Sequence, residues 1–151
     1  MSSNLARLLL LVAIGGFMLS RSTPRGIRNN NPGNLIDAGI PWRGLVGRDA
    51  DGYAVFRTAL EGIRAAYIDL RTGFHRDRED TVREIVTEWA PPTENPTARY
   101  IDHVARALGV GPDTPLVLER DRIPLLEAIF EFENGQQPYP RSLLEQAIAA
   151  A

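Results

Sequence analysis

The 151-residue sequence has no cysteine, no lysine and only two histidines, His75 and His103, which stand 28 positions apart. Without cysteine there are no disulfides and no thiolate metal sites. A helical zinc site of the peptidase kind needs two histidines one turn apart, so the spacing argues against that chemistry and no metal or cofactor is expected. Long apolar runs are also missing. The main one is Leu8–Leu19, twelve uncharged residues. As a helix it spans about 18 Å, short of the roughly 30 Å hydrocarbon core of a bilayer. Internal repeats and low-complexity tracts are absent as well.

The Leu8–Leu19 run is the length of a signal-peptide apolar region, with Arg7 as its positive flank. No small-x-small cleavage site follows except the poor Ser20-Arg21-Ser22. An uncleaved signal-like anchor therefore fits better than a secreted precursor; the competing reading is an ordinary buried helix. Against that reading, the segment is apolar on every face and sits at a terminus. The expected organisation is a signal-like or membrane-anchor segment at 1–23, with membrane contact through residues 5–19, followed by one domain at 24–151. Hydrophobic residues make up 44% of the chain, enough for a single core without staples. The chain is expected to be membrane-anchored or exported to the periplasm.

Charge is unevenly distributed. Residues 1–48 carry six arginines against one acid, Asp37 (+5), and the remainder carries 11 arginines against 18 acids (−7), giving the net −2. A basic stretch directly after an apolar segment suits an anionic membrane surface or wall polymer. No nucleic-acid partner is expected, because no aromatic or glycine pattern of a nucleic-acid-binding module accompanies the arginines. A coding bias towards arginine accounts for the missing lysine equally well.

Residues 20–57 are broken by glycines and prolines, so they read as loop and short strand. Gly52–Phe56 is the best strand, and Gly44–Gly47 offers a second. From residue 58 the pattern turns helical. Thr58-Ala-Leu-Glu61 has capping-box spacing, and Leu60, Ile63, Tyr67, Leu70 and Phe74 follow at helical period. Thr81-Val-Arg-Glu84 repeats the cap before Val82, Ile85, Val86 and Trp89. Asn95-Pro96 opens a helix that Gly109 closes. Asp121 starts another that ends near Gly135, and Ser142-Leu-Leu-Glu145 caps a last short one. The expected fold class is mainly α (α+β), four to five helices with a small β-like lobe, preceded by the N-terminal apolar helix.

One residue resists a purely structural reading. At about 100° per residue, Glu133 lies about 240° around the helix from Glu127, between Ile129 at about 200° and Leu126 at about 260°. It therefore belongs to the apolar stripe, where a carboxylate is costly unless protonated or partnered. Burial and the negative end of its helix both raise its pKa. A glutamate held protonated near neutrality can give its proton to a glycosidic oxygen. The alternative is that the helix frays and the side chain turns to water.

Ile129-Phe-Glu-Phe-Glu-Asn-Gly135 resembles the helix end of lytic transglycosylases and other lysozyme-like enzymes, where an apolar helix terminates in the catalytic glutamate. Arg25-Gly-Ile-Arg-Asn-Asn-Asn-Pro-Gly-Asn-Leu35, followed by Trp42-Arg-Gly44, is similar to the asparagine- and glycine-rich segment of lysozyme-like wall hydrolases, including the glucosaminidase type. Phe56 through Leu70 resembles the helix that follows that segment. Trp89-Ala-Pro-Pro-Thr-Glu-Asn-Pro-Thr-Ala-Arg-Tyr-Ile101 completes a pattern resembling phage lysozyme-like lytic or structural proteins. The resemblance covers residues 24–139 and implies a lysozyme-like catalytic domain. In those enzymes the catalytic helix precedes the asparagine-rich segment. Here only the apolar run precedes it, so the glutamate comes from downstream, as in a circular permutation.

On this resemblance the chain is a phage- or prophage-encoded peptidoglycan-degrading enzyme, a lytic transglycosylase or muramidase, with Glu133 as acid and then base. A transglycosylase needs one carboxylate, because the sugar's own C6 hydroxyl attacks. A hydrolase of the usual type needs a second, about 5–5.5 Å away for retention, and Glu61, Asp51 and Glu94 are the candidates. Asn30, Asn31 and Asn34 are candidates to bind N-acetyl groups, or are turn residues. Tyr100 lines the cleft or packs in the core, and Trp89 is a core residue or a sugar platform. Tyr139 is a candidate to stack on a sugar, and Arg28 to meet a stem-peptide carboxylate. Asp102 and His103 read as a solvated helix face. The partners implied are bacterial peptidoglycan and other phage virion proteins. Two other readings stay open: a crosslink endopeptidase, and a non-catalytic virion component.

Overall fold

The computed structural model describes residues 22–91 and 96–151. The expected anchor at 5–19, Glu94 and the Asn95 cap lie outside the described residues. Six α-helices and a two-stranded sheet make up the rest: α1 (Arg25–Arg28), β1 (Leu45–Arg48), β2 (Ala54–Phe56), α2 (Ala59–Thr72), α3 (Val82–Trp89), α4 (Thr97–Leu108), α5 (Leu118–Asn134) and α6 (Arg141–Ala149). The architecture is thus mainly helical with a small sheet, and among the described residues no helix is long and apolar enough to cross a membrane.

Side-chain caps explain where two of these helices begin. Thr58 accepts from the Glu61 amide at the head of α2. Thr81 and Glu84 form a reciprocal capping box at the head of α3, worth about 1 kcal/mol. Gly109, at φ 69°, closes α4 in the left-handed conformation that glycine adopts without penalty. Elsewhere the expected boundaries need correction. The opening loop contains the one-turn α1. α2 stops at Thr72, and Phe74 belongs to a π-helical turn, Gly73–Asp77. α5 begins one turn before Asp121, because the Asp121 carboxylate accepts from the Val117 amide at 2.7 Å and Leu118 is buried. α6 begins at Arg141 after Pro140, with no side-chain cap from Ser142.

The helical body packs around α5, whose Leu125, Leu126, Ile129 and Phe130 are fully enclosed. α2 brings Ile63 and Ala66, α3 brings Val82 and Val86, α4 brings Tyr100 and Val104, and α6 closes the core with Leu144 and Ala147. Burying each large side chain contributes about 1.5–3 kcal/mol.

β1 and β2 pair antiparallel, Leu45 opposite Phe56 and Gly47 opposite Val55, with a bulge between Leu45 and Gly47. An isolated bridge, Ile36 to Tyr53, extends this lobe. A separate small core of Ala54, Phe56 and Ala65, flanked by Leu35, Trp42 and Leu45, seats the lobe on α2. The asparagine-rich loop threads between lobe and body.

Candidate active site

The loop after α1 is organised by its own amides. Asn31 is fully buried, donates to the Leu35 and Ala54 carbonyls at 2.9 Å, and accepts from the Leu35 amide at 3.0 Å. Asn30, at φ 52°, donates to the Phe56 carbonyl at 3.0 Å. Asn29 donates to Asp49 at 2.7 Å. These three asparagines therefore join loop to lobe.

Two helix ends grip the other side of the loop. Asn134, the last residue of α5, donates to the Pro32 carbonyl at 2.8 Å and to the Phe130 carbonyl at 2.9 Å. Trp89, the last of α3, donates from its indole to the Gly33 carbonyl at 3.1 Å. A Cβ at Gly33 would come within 2.8 Å of the Trp89 ring, so glycine is required for this close approach. Held this way, Asn34 takes a left-handed turn, φ 50°, and aims its amide at α5.

It meets Glu133. The Asn34 amide donates to Glu133 Oε2 at 2.8 Å, and the Tyr100 hydroxyl donates to Oε1 at 2.9 Å. Glu133 is half-buried. Burial pushes its carboxyl above the ordinary value of 4.5, and the bonds from Asn34 and Tyr100 offset part of that rise. Tyr100 is 1% exposed and stacks on Phe132 at 3.9 Å. Its own pKa is driven well up by burial and by the facing Glu133 charge, so it stays a neutral donor.

Both partners tolerate either protonation state of Glu133. A tyrosine hydroxyl donates to a carboxylate or accepts from a carboxylic acid. The Asn34 Oδ1 is buried and has no hydrogen-bond partner among the described residues, so the amide can turn over and accept instead. This site can hold a proton and also release one.

Glu133 and Asn34 border a cleft of about 500 Å³. Ile36, Ile40, Trp42 and Tyr53 form its lobe side, and Leu70, Ile85 and Trp89 its body side. Asp69, Asp77, Glu79 and Glu88 also line it, with Arg76 as the one basic side chain among the lining residues, beside the π-helical turn. Asp69 stays wetted, but the concave wall surrounds it, and that enclosure followed by the Glu88 charge raises its carboxyl above the ordinary range. Glu79 is raised likewise, first by burial and then by Glu88. Among the described residues no group of three or more His, Asp or Glu side chains converges closely enough to hold a metal ion.

The structure brings together Glu133, Asn34 and Trp89 of the expected site residues, with Tyr100 behind Glu133 rather than in the cleft. Four others lie elsewhere. Asn31 and Asn30 spend their amides on backbone carbonyls, which fits the turn role that was the other expectation for them. Tyr139 packs edge-on against Phe130 in the core, its hydroxyl enclosed. Arg28 is exposed and bonds the Thr23 carbonyl at 3.2 Å, away from the cleft. The expected second carboxylates also move: Asp51 pairs with Arg25 at 3.2 Å, and Glu61 accepts from Thr58 at 3.2 Å. Neither lines the cleft. Asp69, Glu79 and Glu88 do; sequence reading passed over them because Asp69 and Glu88 look like solvated helix-face charges and Glu79 stands in the connection between two helices. His103 is half-buried, 3.6 Å from Glu131.

No family model matches the chain. Protein P5 of Pseudoalteromonas phage PM2 is 35% identical to it over 119 residues, which cover 76% of this chain and 74% of that protein.

Proposed function

The chain belongs to the family of Protein P5 of Pseudoalteromonas phage PM2, and from that premise we propose that it is a phage- or prophage-encoded enzyme with a permuted lysozyme-like domain that cuts the glycan strand of peptidoglycan. The observation that carries this reading is Glu133. It is a half-buried carboxyl with a raised pKa on the wall of a cleft, held by Asn34 from a loop 99 residues upstream. A downstream catalytic glutamate beside an upstream asparagine-rich loop is the arrangement that a permuted lysozyme-like layout requires.

In this reading the glycan lies along the cleft with a glycosidic oxygen at Glu133. The protonated carboxyl gives its proton to that oxygen as the C1–O bond breaks, and the sugar becomes oxocarbenium-like. The carboxylate then takes the proton of the same sugar's C6 hydroxyl as that oxygen closes on C1. One residue serves both steps, and the product is an anhydro sugar. Trp89 and Trp42 offer flat apolar surfaces for sugar rings. Hydrolysis is the second reading, favoured by one observation: Asp69 lines the same cleft and can serve a water nucleophile.

Digestion of purified peptidoglycan tests both. Anhydro-muropeptides support the transglycosylase, and new reducing ends support hydrolysis with Asp69. Free amines would indicate a crosslink peptidase. No product from folded protein would indicate a non-catalytic virion component. Glu133→Gln should abolish glycan cleavage while keeping the fold, because the Asn34 amide can turn its free Oδ1 towards the new NH2 group. The Leu8–Leu19 run would hold the domain at a membrane or direct its export.

A further inference from the structure

Two enclosed oxygens beside Glu133 lack a donor: Asn34 Oδ1 and Asn134 Oδ1 have no hydrogen-bond partner among the described residues. A buried acceptor left in this way forfeits its hydration with nothing in return. Both oxygens close on the same spot. A Cβ on Gly26 would lie 2.4 Å from Asn134 Oδ1, 3.0 Å from Asn34 Oδ1 and 2.8 Å from the Asn31 carbonyl oxygen, so glycine keeps that spot open. The two amide nitrogens are committed elsewhere. Asn134 donates to the Pro32 and Phe130 carbonyls, and Asn34 donates to Glu133 Oε2. Two backbone acceptors therefore fix the orientation of Asn134, whereas the Asn34 amide is oriented by Glu133 alone.

That arrangement suits the Glu133 anion, and protonation changes the count of donors and acceptors. With the proton on Oε1, Tyr100 must accept from it. Its own hydrogen then has no acceptor, because Tyr100 is 1% exposed and its hydroxyl has Glu133 as its one partner among the described residues. With the proton on Oε2, Tyr100 goes on donating to Oε1. Asn34 can then turn its amide over, so that Oδ1 accepts from Oε2–H. The NH2 group takes the place beside Gly26 and faces Asn134 Oδ1. In that form both enclosed oxygens gain a donor.

We infer that Asn34, Asn134 and Gly26 form an amide switch that follows the proton of Glu133, with Asn134 as a positioning residue acting through Asn34. Charged groups stand around this set without joining it. Asp69, Arg76, Asp77, Glu79 and Glu88 line the same cleft. From α1, Arg25 pairs with Asp51 and Arg28 turns to the Thr23 carbonyl; from α4, His103 lies 3.6 Å from Glu131. Tyr100 is the titratable side chain bonded to Glu133. The consequence for the reaction rests on the glycan-cleaving reading. Oε2 is bonded to Asn34, which borders the cleft, so its proton stands on the substrate side. That proton passes from Asn34 Oδ1 to the glycosidic oxygen, which keeps the electron pair of the broken C1–O bond. Asn34 then returns its NH2 to the carboxylate and holds the anion that acts as base.

The test is an NMR titration of the isotopically labelled full chain without glycan. The Glu133 carboxyl carbon reports its protonation. Cross-relaxation between the Asn34 side-chain NH2 and its neighbours reports the orientation of the amide. Above the Glu133 midpoint, the NH2 protons should show a cross-peak to the Glu133 Hγ protons. Below it, that peak should fade and one to the Gly26 Hα protons should grow, with the same midpoint. Asn134→Ser withdraws the acceptor and should lose the Gly26 cross-peak while Glu133 still titrates. Cross-peaks that stay constant through the Glu133 titration overturn the switch, and so does a reorientation that Asn134→Ser leaves intact. Wild type alone decides the first point, so the proposal stays falsifiable where the variant fails to fold. Glycan enters neither measurement. If wild type cuts no peptidoglycan, the enzymatic reading fails and the switch is still read from the cross-peaks; constant cross-peaks sink the switch even in an active enzyme.

Discussion

At the scale of the residue, Glu133 sets two opposing effects against each other, and their balance gives a pH signature. Enclosure disfavours its anion; Asn34 and Tyr100 favour it; enclosure wins, so the folded-state pKa lies above the ordinary 4.5. The native state then holds its proton where the unfolded chain has released it. The stability this contributes is fully present below about pH 4.5 and is lost as pH rises through the folded pKa. Glu133→Gln removes that dependence. Its melting temperature should match wild type in acid, pull ahead as pH rises above 4.5, and level off once Glu133 is ionised; a constant offset would contradict the raised pKa. Tyr100→Phe deletes a donor to the anion and should raise the Glu133 pKa further. If Glu133 is the general acid, the alkaline limb of glycan cleavage moves to higher pH in Tyr100→Phe, and a limb that stays in place detaches Tyr100 from the reaction. The position of Glu133 on the apolar face was legible from helical period alone. Its partner Asn34 was not, because no local spacing links residues so distant in sequence.

At the scale of the element, the helix that supports the lobe contains a residue that propensity argues against. Gly62 sits inside α2, where glycine costs about 1 kcal/mol relative to alanine. The reason is tertiary: the Asn30 carbonyl lies against the Gly62 Cα, in the space a Cβ would fill. Gly62→Ala should therefore destabilise by about 1–3 kcal/mol or more through overpacking, despite its better helix propensity. It should also lower activity, since Asn34 hangs from the same loop; denaturant unfolding with peptidoglycan turnover checks both. A stabilised variant would show that the loop can step aside. Asn134→Ala should cost about 1–3 kcal/mol by leaving the Pro32 carbonyl without its donor. Caps at Thr58, Thr81 and Gly109 were readable because capping is a contest within four residues. The start of α5 was not. Pro124 suits a first turn, which argues for a start at Asp121, but Asp121 caps backwards onto Val117 and burial of Leu118 adds a turn. The acidic wall of the cleft was hidden for a similar reason. Asp69 and Glu88 look like solvated helix faces until the two helices are set around one cavity.

At the scale of the whole molecule, a large helical core and a small lobe core face each other across the cleft, and their stabilities should differ. The body encloses Leu125, Leu126, Ile129, Phe130 and Leu144 completely, whereas the lobe core is Ala54, Phe56 and Ala65. β1 exposes Val46, Gly47 and Arg48 and, among the described residues, has β2 as its one sheet partner. β2 is tied more firmly, through the Phe56 amide to the Asn29 carbonyl and the Ala54 amide to the Leu35 carbonyl, both at 2.9 Å. Local opening follows buried apolar contact and the exposure of backbone bonds. Native-state hydrogen exchange should then rank three groups: amides of β1 fastest, those of Ala54 and Phe56 slower, and those of Leu126–Phe130 in α5 slowest, near the global unfolding limit. Leu144→Ala, which empties a fully enclosed site between α6 and the body, should cost about 2–5 kcal/mol and speed exchange in α5. It should leave the β1 rates nearly unchanged, because β1 already opens without unfolding the body. If β1 instead exchanges in step with α5, lobe and body unfold as one unit, and the cleft between them is rigid.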